Sequence, residues 1–302
     1  MKIFLLLAAV LLFPSCMSVQ STIYDVEIES AAIQESEEIS EKTIRIVQIS
    51  DFHSGDFGKN EQKLIQKIRS ANPDLIMLTG DIFDFEMKAE KPTENVKRLL
   101  EGIRTICPFF YVSGNHEYFF YHEDEWSFLV SDYGGTVLKN DAVTAESSAG
   151  SVIVAGVSDP MEDLTVSERK KNRDNRRAYE KRLNATALKA AEEKEAHGDF
   201  LFSVLLAHRP EYIELYKRLG FDIVLSGHAH GGQWRFPLIA KNGLYAPNQG
   251  LFPKWTGGKF VFQRENARQT AFIISRGLSY QHPKLPRILN NPELVIIDVR
   301  LQ

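Results

Sequence analysis

Seven side chains that carry nitrogen or oxygen donors follow five short apolar segments of this sequence. Runs such as Ile44–Ile49 and Leu75–Leu78 have the length and composition of buried strands, and each ends at a polar residue. Carboxylate, amide and imidazole groups together are typical ligands of divalent manganese, iron or zinc. Seven donors exceed the need of one tetrahedral ion and suffice for two ions that share a bridging carboxylate. These donors are Asp51, His53, Asp81, Asn115, His208, His228 and His230.

A pair of metal ions has a well-defined chemistry. Two ions a few ångströms apart clamp a phosphoryl group between them and lower the pKa of a shared water molecule. The resulting metal-bridged hydroxide is a nucleophile for in-line attack on phosphorus. The donor set therefore predicts a metal-dependent phosphohydrolase.

The elements that must position these donors alternate between strand and helix. Helical spacing in 60–70, 93–106 and 211–219 separates the apolar strands, and this alternation predicts an α/β fold with helices on both faces of a sheet. Ligands of such sheets bind outside the carboxyl ends of the strands, where all seven donors fall. Residues 238–302 read as strands and loops that complete the same domain.

The same residues resemble the motifs of a known family, the calcineurin-like metallophosphoesterases. The match covers 44–230, and the stretches at 228–235, 244–254 and 275–278 resemble its exported bacterial phosphodiesterase branch, often called YkuE/YaeI-like. The motifs are, in order, Asp51-Phe-His53, Gly80-Asp81-Ile-Phe-Asp84, Gly114-Asn115-His116-Glu117, Ala207-His208 and Gly227-His228-Ala-His230.

The resemblance implies a four-layer αββα sandwich with two metal ions at the C-terminal ends of the strands. Asp81 would bridge the ions and, with His116, form the catalytic pair, since His116 would lie above the phosphate and stabilise charge or protonate the leaving oxygen. Asp84 and Glu117 would either orient histidine ligands or cap helices. One ion would be held by Asp51, His53 and His230, and the other by Asn115, His208 and His228.

Most of the functional expectations follow from this family. We expect a phosphodiesterase, with a phosphomonoesterase or phosphoprotein phosphatase as the alternative. Arg209 and Arg235 are candidates to bind the substrate phosphate, although surface ion pairing is the stronger explanation for either one. The substrate would be a phosphate ester, for example a phospholipid or a cell-envelope polymer. A third hypothesis is a catalytically silent lipoprotein that binds an anionic lipid or polymer.

The N-terminus predicts export. Lys2 precedes an apolar run at 3–13, which is too short to span a bilayer and is typical of a signal peptide. Ser15-Cys16 resembles a lipobox, so we expect lipidation of Cys16 and a location in the cell envelope, with a cleaved, soluble form as the alternative. Cys107 then has no partner for a disulfide. The net charge of −4 gives no chain-wide attraction for nucleic acid.

The predicted organisation is a leader at 1–16, an N-terminal strand with an acidic loop at 17–43, and the metallophosphoesterase domain at 44–302. Within that domain, 162–197 reads as a basic helical insertion, with eight basic residues against two acidic ones between Arg169 and Arg182. Such a run fits either a solvated helical face or a lid near an anionic partner.

Overall fold

The computed structural model describes residues 18–29, 42–84, 92–119, 123–165, 167–168, 175–236, 239–264, 268–279 and 286–302. The predicted leader, including Cys16, the acidic loop after Glu29 and the most basic part of the insertion (169–174) lie outside the described residues. Within the described ranges, none of the helices combines the length and apolar character needed to cross a lipid bilayer.

The described elements are strands and mostly short helices. The strands are β1 Gln20–Ile28, β2 Lys42–Ile49, β3 Leu75–Thr79, β4 Phe109–Val112, β5 Thr136–Val137, β6 Asp141–Glu146, β7 Ser151–Val157, β8 Phe202–Ala207, β9 Ile223–Ser226, β10 Tyr245–Ala246, β11 Gly250–Leu251, β12 Gly258–Gln263, β13 Gln269–Ile274 and β14 Glu293–Leu301. The α-helices are α1 Gln62–Ala71, α2 Pro92–Ile103, α3 Asn115–Phe119, α4 Glu123–Asp132, α5 Arg176–Ala196 and α6 Ile213–Tyr216.

Two six-stranded sheets form the centre of the molecule. The first has the order β1-β14-β2-β3-β4-β5 and the second β12-β13-β9-β8-β7-β6. Strands β2, β3 and β4 are parallel in the first sheet, as are β7, β8, β9 and β13 in the second. The carboxyl ends of neighbouring parallel strands lie at the same sheet edge, so the loops that follow them can meet.

Three apolar layers hold the sheets and helices together. Residues such as Ile46, Met77 and Leu225 are buried between the two sheets. The outer face of the first sheet packs on α1, α2 and α4, and that of the second on α5 and α6. This is the αββα sandwich implied by the motifs. The simpler expectation of one sheet with helices on both faces is wrong, because each sheet buries its inner face against the other sheet.

The N-terminal strand belongs to this architecture. Strand β1 pairs in parallel with β14, with Gln20 opposite Glu293, and forms the edge of the first sheet. Its register places the start of β1 at the same sheet edge as the end of β2, because β14 runs antiparallel to β2.

The insertion contributes one long helix that packs on the second sheet. Helix α5 buries Tyr179 and Leu183 against that sheet. Arg182, from the basic run, is largely buried and donates to the main-chain oxygens of Ser158 and Asp159, both at 3.1 Å. The described part of the helix is therefore tied to the domain through one of its basic residues.

Candidate metal centre

The loops that follow five strands meet at one edge of the sandwich. Several of the predicted ligands there have left-handed backbone conformations, with φ of 51° at Asp81 and 65° at His228. Asp51, His53 and His230 share this conformation. Non-glycine residues adopt it at a cost and retain it only where the surroundings enforce it, which is typical of functional sites.

Two glycines allow these loops to approach each other. A Cβ at Gly114 would overlap with the carboxylate and the amide of Asp81. A Cβ at Gly227 would overlap with Ser50 and with the carboxylate of Asp51. Gly114 thus lets two loops of the first sheet pack closely, and Gly227 brings a loop of the second sheet against a loop of the first.

Six of the seven predicted ligands form two clusters of candidate metal-binding atoms. Within each cluster these atoms lie within 4.8 Å of one another, and Asp81 belongs to both clusters. Asp81 Oδ2 is 3.1 Å from His208 Nε2 and 3.7 Å from His53 Nε2. The first cluster contains Asp51, His53, Asp81 and His230, and the second contains Asp81, His208 and His228.

Hydrogen bonds on the far side of two histidines set the nitrogen that faces the clusters. His208 Nδ1 lies 2.7 Å from the carbonyl oxygen of Thr79, and His53 Nδ1 lies 2.8 Å from Asp84 Oδ2. A carbonyl and a carboxylate only accept, so Nδ1 carries the proton in both rings. Nε2 then faces the cluster as the atom that a metal ion would bind in place of a second proton.

The donor atoms fit a metal ion on a second, independent observation. His53 Nε2, Asn115 Oδ1 and His228 Nε2 are all buried and have no hydrogen-bond partner. An unpaired buried polar atom is costly, and native proteins rarely keep several together. Asn115, which follows Gly114 and begins α3, thereby joins the six clustered ligands as a candidate.

The backbone around Asp81 is held by a buried carboxylate. Glu117 accepts hydrogen bonds from the amides of Asp81, Ile82, Phe83 and Gly114 at 2.8–3.2 Å. Burial and the charge of Asp81 raise the pKa of Glu117 to about 7. Glu117 joins the loops after β3 and β4, so it positions Asp81 through the main chain and contacts no histidine ligand among these bonds.

Asp84 links a predicted ligand to the predicted catalytic histidine. Its Oδ2 contacts His53 Nδ1 at 2.8 Å and His116 Nδ1 at 3.3 Å. The His53 and His116 rings pack edge to face, 4.5 Å apart. Burial by itself would raise the pKa of Asp84. Hydrogen bonds from these two histidines outweigh that effect and hold the pKa well below its usual range.

The charges of the cluster favour a cation. Burial opposes protonation of His208, but Asp81 outweighs it and raises the pKa of His208 to about 10. At His116, burial lowers the pKa, but the negative charges of Asp81 and Asp84 have the larger effect and raise it to about 9. The carboxylates of Asp81 and Asp84 that raise these two pKa values would also attract a divalent ion.

Of the two arginines predicted to bind substrate, Arg209 has another partner. Its guanidinium is buried and makes two hydrogen bonds to Asp159, at 2.6 and 2.9 Å. The bidentate pair engages Nε and Nη2, and Nη1 lies 3.8 Å from Glu211 Oε1, so the guanidinium is paired with carboxylates next to His208. Arg235 is half-buried and donates to the carbonyl of Lys241, from Nε at 2.9 Å and from Nη2 at 2.5 Å.

Two residues that the motifs did not single out border the site. Glu211 Oε1 is 4.0 Å from His228 Nε2, and its Oε2 is buried without a hydrogen-bond partner. Arg287 Nη2 is 3.4 Å from His230 Nδ1, and its Nη1 is also buried and unpartnered. Glu211 stands three residues after the predicted ligand His208, so its position in the sequence could have identified it as a neighbour of the site. Arg287 lies far along the chain in a loop with no assigned role, and only the fold brings it here.

Comparisons with known proteins agree with this geometry. The family model described as Calcineurin-like phosphoesterase matches residues 44–232. The Bacillus subtilis protein YpbG is 28% identical over 254 residues, which cover 83% of this chain and 79% of YpbG. The metallophosphoesterase YkuE of the same organism is 28% identical and covers 85% of this chain and 79% of its own length.

Solved structures are more distant. The NAD nucleotidase of Haemophilus influenzae superposes with a TM-score of 0.48 and 16% identity, over 78% of this chain and 46% of the nucleotidase.

Proposed function

This chain belongs to the calcineurin-like phosphoesterase family and is a metal-dependent phosphoesterase, and from that premise we propose that it is a phosphodiesterase with two divalent ions. The observation that carries the proposal is the place of Asp81 in both clusters of candidate ligands. One carboxylate shared by two ligand groups is the arrangement that a pair of ions requires. Manganese, iron and zinc all suit these ligands.

The two ions, when bound, would supply a nucleophilic hydroxide and neutralise the phosphoryl oxygens. The residues of the chain would hold the ions, orient the histidine rings and supply a proton. Asp81 and the histidines would hold the ions, and Asp84 would fix the rings of His53 and His116. His116, with a pKa raised to about 9, would keep a proton that it can donate to the leaving alcohol oxygen.

The charges at the second cluster support a diester over a monoester. Asp159 and Glu211 share one guanidinium, that of Arg209, so two carboxylates face a single positive charge beside His228. A monoester carries a second negative charge near neutral pH, which this flank would repel, whereas a diester carries only one.

The test compares a diester and a monoester on one enzyme preparation. With added manganese, we expect hydrolysis of bis-p-nitrophenyl phosphate that exceeds hydrolysis of p-nitrophenyl phosphate. Asp81→Ala and His228→Ala should lower the diester rate by about a thousandfold or more, since each removes a ligand of the cluster. Undiminished rates in both variants would refute this site.

Two further measurements separate the alternatives. Glu211→Gln should raise the monoester rate relative to the diester rate, because it removes the repelling charge. A preference for the monoester in the unmodified chain would favour the phosphatase alternative. Metal analysis should find two ions per chain, and less than one ion after reconstitution would favour a silent, anion-binding lipoprotein.

We also propose that the protein is exported and anchored by a lipid on Cys16. The support is the apolar run at 3–13 followed by Ser15-Cys16. Mass spectrometry of the mature N-terminus is the direct test. A Cys16→Ser variant should leave the membrane fraction, and an unmodified Cys16 in the parent would contradict the anchor.

A further inference from the structure

We propose that the edge of the sandwich that carries the metal centre docks on the surface of an anionic phospholipid bilayer. The surface comprises Ile239, Leu251, Phe252 and Leu289, which we call the apolar rim. The docking surface stands on its own observations, whereas the consequence that the enzyme acts on phosphodiesters at the bilayer surface rests on the proposed function.

The topology places the apolar rim beside the candidate metal centre. Strands β9 and β13 are parallel and end at the site edge, so the loops that follow them, 227–257 and 275–292, begin there. These loops also return there, because β12 and β14 start at that edge. The loops are joined by a hydrogen bond from the Arg235 amide to the Ile288 carbonyl and another from Trp234 Nε1 to Pro286.

The side chains of the apolar rim are exposed to an unusual degree. Ile239 is 82% exposed, and Leu251 and Phe252 are 68% and 65% exposed. Half of the eight large, exposed hydrophobic residues in the described ranges belong to the apolar rim. Exposed apolar groups that cluster at one edge indicate an interaction surface, whereas scattered ones need no explanation.

Two of these residues also have a strained backbone. Phe252 has φ of 53° and Leu289 has φ of 51°. Every other non-glycine residue with positive φ in the described part of the chain is polar or charged. A bulky apolar residue gains nothing in the folded state from a left-handed conformation that exposes it to water. A partner that buries the side chain would compensate for this cost.

The charge of the two loops favours an anionic partner. No aspartate or glutamate occurs between Asp222 and Glu265, or from Asn266 to Pro292. Lys241 and Lys254 are exposed on the first loop. Apolar side chains interspersed with cations and free of acids are the composition of surfaces that bind anionic lipid. A second copy of this chain would place like charges opposite each other, and a polyanion would leave the apolar rim in water.

The N-terminal end of strand β1 lies at the same edge. Gln20, at the start of β1, donates from its amide to the carbonyl of Pro292, and Arg276 Nη2 contacts Gln20 Oε1 at 3.5 Å. The first described strand therefore begins beside the loop of the apolar rim. Cys16 can lie at most about 14 Å from Gln20 along an extended chain, so an anchor there would hold this edge against the bilayer.

The test uses the full chain and vesicles of phosphatidylcholine with or without phosphatidylglycerol. The variant Leu251→Asn/Phe252→Asn removes two side chains of the apolar rim, and asparagine tolerates the left-handed backbone at position 252. The matched control is Leu188→Asn/Phe128→Asn, which removes a leucine and a phenylalanine of similar exposure from α5 and α4. All forms share the same N-terminal segment, so differences between them report on the apolar rim.

We expect co-sedimentation with phosphatidylglycerol vesicles that is about tenfold weaker for the rim variant and unchanged for the control. High salt should weaken binding by the parent. Equal binding by all three forms would overturn the proposal. So would a salt-sensitive affinity for a soluble polyanion that exceeds the affinity for vesicles, or a concentration-dependent dimer that the rim variant abolishes.

Activity separates this proposal from the proposed function. The rim variant should hydrolyse soluble bis-p-nitrophenyl phosphate at the parental rate but a phosphodiester displayed on vesicles about tenfold more slowly. A parent that hydrolyses neither substrate would contradict the proposed function, and the sedimentation result would still decide the docking surface.

Discussion

At the scale of single residues, Asp84 is the side chain that connects two histidines of the candidate site. It contacts a predicted ligand, His53, and the predicted proton donor, His116, through one oxygen atom. Partners of this kind set ring orientation and tautomer, and their loss commonly reduces metal affinity. The motif places Asp84 three residues after Asp81, yet sequence spacing alone left a helix cap as an equal alternative.

Replacement of Asp84 by asparagine should therefore impair metal binding without unfolding the protein. We expect metal affinity to fall by about 10- to 100-fold and kcat to fall with it, since the amide cannot accept from both rings with a full charge. Isothermal titration with manganese measures the first effect. Asp141→Asn, an exposed carboxylate paired with Lys189, is the control, and equal affinities of the two variants would contradict this role.

At the scale of secondary-structure elements, helix α5 is connected to the site through a chain of charged groups. Arg182 donates to the carbonyl of Asp159, and the Asp159 carboxylate binds Arg209, next to His208. Arg182 also pairs with Glu162 and, at 2.8 Å, with Asp163. A solvated helical face, one of the two interpretations of the basic run, does not describe this arginine.

The variant Arg182→Ala should destabilise the fold by about 2 kcal/mol, because it leaves the carbonyls of the buried residues Ser158 and Asp159 without their donor. Urea unfolding of the metal-free chain measures this difference. Arg177, which is exposed on the same helix, provides the control in Arg177→Ala. A loss of stability in Arg182→Ala no larger than in the control would argue against the connection.

The residue that precedes α1, Glu61, carries a carboxyl group that should make the stability of the fold depend on pH. Burial raises the pKa of Glu61 to about 7, although the Phe57 amide donates to it at 2.8 Å. A pKa that is raised in the folded state contributes stability that is fully present below the unfolded pKa of about 4.3 and is lost as pH rises through about 7.

The variant Glu61→Gln removes this titration. We expect the Tm of the variant to improve relative to the parent between about pH 5 and about pH 8, since only the parent loses stability in that window. Differential scanning calorimetry at both values measures the change. Glu101→Gln, an exposed control paired with Arg104, should show no such trend, and parallel Tm curves for Glu61→Gln and the parent would contradict the prediction.

At the scale of the whole molecule, the candidate metal centre joins the two sheets. Asp51, His53 and Asp81 follow strands of the first sheet, whereas His208 and His228 follow strands of the second. An ion bound by ligands from both sheets binds the folded state only, and its binding free energy adds to the stability of folding.

Divalent metal should therefore raise the Tm of the chain. At a concentration a thousandfold above Kd, the stabilisation is about 4 kcal/mol, which corresponds to a rise of roughly 10 °C for a protein of this size. Thermal denaturation with manganese and with a chelator measures it. Asp81→Ala should lose most of the rise, and an equal rise in that variant would place the ion elsewhere.

The sequence by itself determined the candidate metal ligands and the sheet edge at which they meet. This was predictable because strand ends are local features, and Asp51, Asp81 and His208 each follow a local apolar run. The motif resemblance likewise implied the sandwich. Local periodicity did not, since a strand that faces a helix and one that faces another sheet carry the same apolar pattern, and the short strands β5, β10 and β11 left no signal.

Only the tertiary structure decided which partners the remaining charged residues have. Arg209 was an expected phosphate ligand and is occupied by Asp159, fifty residues earlier in the chain. Arg287, in a loop with no assigned role, lies beside His230, and the apolar rim forms because two distant loops end at one edge. Such contacts depend on distance in space, which local sequence patterns do not encode, so charge and spacing alone could not have assigned them.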